Sequence, residues 1–173
     1  MSQSRYQDLC KAFADARASF AAYRSECFFF AATFARGFTE YSGWPRENAG
    51  YEPVAGVDSE PTQKIEDAMH LDGDGFWHLG FRLTLDDPKG KGSLLVRIRF
   101  KKLETRYLVS LFGGEDFEVA APMTSEALHP IFDAILVAVK RHYTYGLRLF
   151  LENGGRGLKI PISAEQLTAL VKE

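Results

Sequence analysis

The fold is decided by residues 76–100, FWHLGFRLTLDDPKGKGSLLVRIRF, where two alternating segments flank a turn rich in proline and glycine. Trp77 and Leu79 alternate with polar or small residues in the first segment, and Ile98 and Phe100 alternate with arginines in the second. Side chains with a period of two point to opposite faces of a strand, so both segments are predicted to be half-buried strands. Strands joined by so short a turn must run antiparallel.

Two further strands continue this pattern downstream. Residues 105–111 alternate through Tyr107 and Val109, and a Gly113-Gly114 turn separates them from a short strand at 117–119. Residues 76–120 are therefore predicted to form a four-strand antiparallel meander.

A second set of elements is predicted after the meander. Pro130 fits the first turn of a helix within residues 121–145, with Gly146 at its end. Residues 146–162 read as a hairpin whose arms are 147–151 and 158–162. Residues 163–173 begin with a capping-box pattern and are predicted to form a short helix.

The N-terminal part of the chain predicts one long amphipathic helix over residues 1–38, ending near Gly37. Its apolar residues recur at alternating steps of three and four: Tyr6, Leu9, Phe13, Ala16, Phe20, Tyr23, Cys27, Phe30 and Phe34. So regular a heptad also fits a coiled-coil seam, although aromatic and alanine residues replace the usual leucine, isoleucine and valine. We favour a core helix and keep a dimer seam as the alternative.

Residues 39–75 lack regular periodicity, and we predict an irregular acidic connection there. Within it, the approximate helical spacing of Ile65, Ala68, Met69 and Leu71 indicates a helical turn or two at 63–71. The segment 38–75 has nine acidic and two basic residues, a net charge of -7, whereas 76–106 has eight basic and three acidic residues, a net charge of +5. Two neighbouring segments of opposite charge can cover one another.

Together these elements predict a single α+β domain over residues 1–173. Its sheet should be mainly antiparallel, with the helices packed on one face. The order of elements is similar to that of secretion-chaperone folds, a resemblance of element order alone. A chaperone-like or adaptor role is indicated instead by the long aromatic stripe, the charged connection and the lack of a catalytic pattern. Because fold resemblance does not determine function, the role must be argued from sites.

Composition favours an ordinary globular protein of the cytoplasm. Apolar residues make up 46% and charged residues 25%, with a net charge of -2. The sequence has no apolar run of about 20 residues and no secretory pattern near its start, so we expect no membrane association. Cys10 and Cys27 would lie about 25 Å apart on one helix, too far to form a disulfide.

Four potential metal ligands lie close together in the sequence: His70, Asp72, Asp74 and His78. Imidazole and carboxylate groups bind divalent cations, but this spacing matches no strong motif. An EF-hand, for example, would need a glutamate where Phe81 stands. We therefore favour a polar turn and expect no metal or cofactor.

The predicted strands place a row of basic side chains on the outer face of the sheet: Arg82, Arg97, Arg99 and Lys101. Such a row can bind phosphates or an acidic protein segment. The strands lack the aromatic signature of an RNA-recognition motif, so a solvated face is favoured over a nucleic-acid interface.

Three functional hypotheses remain. His129 and His142 are too far apart to act together, and no nucleophile pairs with either in the sequence, so a non-enzymatic protein-interaction module, self-associating or binding a partner, is favoured. The alternatives are nucleic-acid binding through the basic row and a small-ligand binder or enzyme. The ligand pocket would be lined by aromatic residues: Phe13, Phe20, Trp77, Phe81 and Tyr107.

Overall fold

The structure, a computed structural model, describes residues 4–53, 62, 64–88, 90–111 and 116–152. Helix α1 spans Arg5–Ser42 and starts with a capping box, in which the Ser4 hydroxyl and the Gln7 side chain each accept a backbone N–H of the other residue. These bonds satisfy amide groups that a helix start leaves without partners. The predicted long N-terminal helix is therefore present.

Six antiparallel strands form one sheet: β1 Ala49–Glu52, β2 His70–Leu71, β3 Trp77–Asp87, β4 Gly90–Lys102, β5 Arg106–Leu111 and β6 Asp116–Ala120. Strands β3 to β6 follow one another as neighbours, which confirms the predicted meander. Strands β1 and β2 both pair with β3 on its other edge.

The strand register divides the sheet into an apolar inner face and a charged outer face. Leu79 pairs with Ile98, and Phe100 pairs with both Trp77 and Val109, so one face collects the predicted apolar positions. Arg99 pairs with His78 on the opposite face. This alternation is the one that the sequence predicts.

Helix α1 covers the inner face with aromatic side chains. Phe30 stacks on Tyr107 at 4.2 Å between ring centroids and lies 4.7 Å from Phe100, while Phe34 stacks on Phe81 at 5.8 Å. Phe30, Phe34 and Phe100 are fully buried. These contacts supply much of the apolar burial that holds helix to sheet.

The end of α1 differs from the prediction. Gly37 lies inside the helix, where an added Cβ would come within 3.2 Å of the Phe132 ring, so this glycine allows close packing against α3. The helix ends at Gly43, whose φ of +67° is the left-handed conformation that glycine adopts without strain.

Residues 39–75 contain the predicted helical turn and also further elements that the sequence did not predict. Besides the end of α1, the segment contains a 3₁₀ turn at Arg46–Asn48, the edge strand β1, a four-residue helix α2 at Ile65–Ala68 and strand β2. Ile65 and Ala68 are buried in the core. A long connection inside a compact domain is thus anchored at several points, as such lengths require.

Helix α3 spans His129–Glu152 and corrects the prediction for the C-terminal hairpin. Its buried side chains Ile131 and Ile135 confirm the predicted core face. The predicted first arm at 147–151 is helical, because Val139, Tyr143 and Leu147 also follow a helical spacing and Gly146 is tolerated within it at about 1 kcal/mol. The second arm and the helix at 163–173 lie outside the described residues.

Candidate functional site

The two halves of α1 have different environments. The C-terminal half contributes six buried residues to the core: Cys27, Phe30, Ala31, Phe34, Ala35 and Phe38. In the N-terminal half, every residue from 4 to 22 is exposed. A helix of 38 residues is about 57 Å long, whereas a globule of this chain length is roughly 40 Å across, so the N-terminal half extends beyond the core.

The apolar stripe continues along this extended half without a partner among the described residues. We call Tyr6, Leu9, Phe13, Ala16 and Phe20 the seam. Phe13 is 66% exposed and Phe20 is 50% exposed. The same heptad stripe is thus core in one half of the helix and surface in the other. The core-helix interpretation holds for the C-terminal half, and the dimer seam stays a prediction for the N-terminal half.

A shallow groove, open to solvent and lined by residues of α1 alone, lies along the seam. Phe13, Phe20 and Phe28 provide apolar walls, and Arg17 and Arg24 line it as well. The Arg24 guanidinium sits 4.9 Å from the Phe28 ring centroid, and Arg17 lies 5.8 Å from that of Phe13. Sequence reasoning did not single out these arginines, although each lies four residues from a phenylalanine of the groove.

The predicted aromatic ligand pocket is divided between two places. Trp77, Phe81 and Tyr107 are buried in the core, whereas Phe13 and Phe20 line the groove on α1, which none of those three borders. The residues proposed for one pocket therefore do not converge on it, and they serve the core and the seam separately.

Cys27 of α1 and Tyr107 of β5 are buried next to each other between the helix and the sheet. Burial raises the pKa of Tyr107 to about 12, and the nearby Cys27 and Glu26 add to this effect. Burial likewise raises the pKa of the Cys27 thiol. A thiol that is hard to ionise is a poor nucleophile, so Cys27 acts as a core residue.

The basic row on the outer face is partly neutralised by the acidic segment. Glu52 pairs with Arg82, and Asp74 lies 3.5 Å from Arg99. Lys101 and Arg99 also sit over the Phe76 ring, at 4.5 Å and 4.9 Å. The oppositely charged segments do meet, which removes much of the free positive charge that binding a phosphate backbone would use.

The four potential metal ligands converge at one end of β3. His70, Asp72 and His78 each place a ligand atom within 4.8 Å of the other two. Asp74 lies beside them, with its carboxylate 3.3 Å from His78 Nε2. A backbone hydrogen bond from Phe76 and the facing His78 and Arg99 lower the pKa of Asp74.

The histidine at the start of α3 makes structural contacts. The His129 ring lies 4.5 Å from that of Tyr41 and 6.4 Å from that of Phe132. These contacts tie α3 to the end of α1. The His142 side chain is outside the described part of the structure.

Comparison with known proteins adds no further information, since no protein-family model, curated protein or solved structure matches the chain. Within the described residues, no helix combines the length and the apolar character that crossing a bilayer requires. The function must therefore be argued from the surfaces of this chain.

Proposed function

We propose that the protein is a non-enzymatic interaction module that forms a homodimer. In this dimer the seam on α1 packs against the seam of a second copy of the chain. The observation that supports this is the exposed heptad stripe on a helix that extends beyond its own core. Apolar patches of this kind on a folded surface mark interaction sites.

The size of the seam suits a helix-to-helix contact. Tyr6, Leu9, Phe13 and Phe20 are each at least half exposed. Together they offer roughly 500 Å² of surface for burial, given the 150 to 250 Å² that an aromatic side chain can cover. With the flanking helix surface, two copies would approach the ~800 Å² per partner of a specific interface.

Spacing and charge favour a second copy as the occupant. Steps of three and four are the pattern by which two helices pack knobs into holes, and a copy of α1 carries the matching pattern. Residues 5–20 contain three basic and two acidic side chains. Two copies therefore meet without the repulsion that a strongly charged helix would produce.

The test is the molar mass of the full chain in solution, measured by light scattering coupled to size exclusion across a range of concentrations. We expect twice the 19.4 kDa chain mass. The Phe13→Glu/Phe20→Glu variant should be monomeric, because two carboxylates would be buried without partners. Ala18→Glu is the matched control, since it adds a carboxylate about 160° around the helix from Phe20 and should leave the dimer intact.

Four results would contradict the proposal. The first is a wild-type monomer at every concentration, and the second is a dimer that survives the double substitution. The third is a monomer whose melting temperature falls sharply in the double variant but not in Ala18→Glu, which would show that the stripe is covered within the chain. A monomer that copurifies with a different protein through Phe13 would likewise replace the second copy with a foreign partner.

A further inference from the structure

We propose that His70, Asp72 and His78 form a binding site for a divalent transition-metal ion of the zinc type. This inference is independent of the seam, because the site lies on the outer face of the sheet. The local sequence favoured a polar turn, and the structure adds the convergence of three side chains that can each donate a ligand atom.

The β2–β3 hairpin places the two histidines. His70 and His78 are paired directly across the two strands, and their rings stack at 5.2 Å between centroids. Direct cross-strand partners lie on the same face of a sheet, so the register itself brings the imidazoles together.

The hairpin turn places the carboxylate. Asp72 closes the turn, since its N–H donates to Phe76 and its carbonyl accepts from Gly75. One carboxylate oxygen, Oδ1, accepts the N–H of Gly73 at 2.7 Å. The other, Oδ2, faces His78 Nε2 at 3.9 Å. Asp72 is thus held by one oxygen and presents the other to the histidines.

His70 carries a ring nitrogen that the described residues leave without a hydrogen bond. Its Nδ1 is buried from solvent and has no partner among them. A buried polar atom without a partner is costly, and a cation coordinated through Nδ1 would remove that cost. The His78 ring is also largely buried, with its side chain 11% exposed.

The local charge favours a cation. Asp72 and Asp74 contribute two negative charges next to two imidazoles, while Arg99 contributes one positive charge that is directed to Asp74 and the Phe76 ring. Lys101 is directed to the same ring. The two carboxylates adjoin the His78 imidazole directly, so a cation would have anionic neighbours there. Asp74 faces the same nitrogen, His78 Nε2, at 3.3 Å, so a metal bound there would replace this hydrogen bond and leave Asp74 as a neighbouring negative charge.

The donor atoms identify the class of metal. Two imidazole nitrogens and one carboxylate oxygen suit zinc and its transition-metal neighbours, whereas calcium and magnesium prefer oxygen alone. Ligand atoms around tetrahedral zinc lie about 3.3 Å apart, so a side-chain movement of roughly 1 to 1.5 Å would complete the site. Three protein ligands would leave the fourth position to water.

The test is calorimetric titration of ZnCl₂ into the full chain, without a histidine tag and with Cys10→Ser, because exposed Cys10 would otherwise compete for zinc. We expect one zinc ion per chain. His70→Gln and Asp72→Asn should each weaken binding at least about tenfold. Asp67→Asn, which removes a nearby exposed carboxylate, is the matched control and should leave the affinity unchanged.

The melting temperature with and without zinc is a second measurement, which distinguishes a variant that has lost the site from one that does not fold. Zinc should raise the melting temperature of the wild-type chain, since an ion that binds only the folded state stabilises it. Asp72→Asn changes an exposed and isosteric group, so it should fold normally and lose this rise. The absence of saturable binding at one ion per chain, or equal zinc affinity in wild type, His70→Gln and Asp72→Asn, would overturn the proposal.

Discussion

Glu52 of β1 pairs with Arg82 of β3 through a single oxygen of its carboxylate. Arg82 Nε donates a hydrogen bond of 2.6 Å to that oxygen, and a terminal nitrogen of the same guanidinium forms an ion-pair contact with it. The Glu52 side chain is only 9% exposed. The ion pair therefore fastens the acidic segment to the basic strand at a site that water barely reaches.

Breaking this pair should destabilise the fold. Glu52→Gln removes the charge and leaves Arg82 one-third exposed without its anion, so we expect a loss of about 1 to 2 kcal/mol in the free energy of unfolding. Glu118→Gln is the control, because its ion pair with Arg106 is long and exposed and should contribute less than about 0.5 kcal/mol. Urea denaturation measures both. Equal losses in the two variants would contradict the structural role of Glu52.

Phe34 should be one of the most sensitive core positions. Its ring is fully buried between Phe81 and Phe132, so Phe34→Ala would leave a cavity and cost about 3 to 5 kcal/mol in unfolding free energy. Phe29→Ala on the same helix removes a ring that is 69% exposed and should cost within about 0.5 kcal/mol. Denaturant midpoints would distinguish the two, and similar midpoints would show that α1 does not pack as described.

Tyr107 should make stability depend on alkaline pH. Its pKa is raised to about 12 in the folded state and is about 10 when unfolded, so the unfolded chain loses this proton first. The stabilising contribution is therefore complete below pH ~10 and is lost as the pH rises toward ~12.

The measurement is the free energy of unfolding as a function of pH across that window. Tyr107→Phe should decline less steeply than the wild-type protein, because the titrating hydroxyl is gone. Tyr145→Phe, at an exposed position, is the control and should keep the wild-type slope. A wild-type slope in Tyr107→Phe would show that the hydroxyl is not buried in the folded state.

The sheet was the most predictable part of the fold. Alternation through Trp77 and Leu79, followed by Ile98 and Phe100, sets both the strands and their buried face, because a period of two has no other structural meaning over that length. The apolar stripe on α1 was equally easy to predict from the sequence. The half of the stripe that is buried could not be predicted, because it depends on how far the sheet extends beneath the helix in the folded protein.

The other features depend on contacts distant in sequence. Four of the five residues at 147–151 are apolar, a pattern so short that it fits either a strand or a helix, and the packing of the rest of the chain determines which one forms. Gly37 indicated a helix end, but the close approach of Phe132 gives it a different role. The convergence of the candidate metal ligands could not be predicted for a similar reason. It depends on the strand register that pairs His70 with His78, which the local sequence does not specify.

The continuity of α1 fixes the direction in which the seam faces. The helix is continuous from Phe20 to Cys27. The orientation of the seam relative to the sheet is therefore fixed by the helix between them. Each residue of an α-helix turns the next by about 100°. One residue inserted between those two positions would preserve both halves yet rotate the seam by that angle, so that a bound copy would approach the domain from a new side.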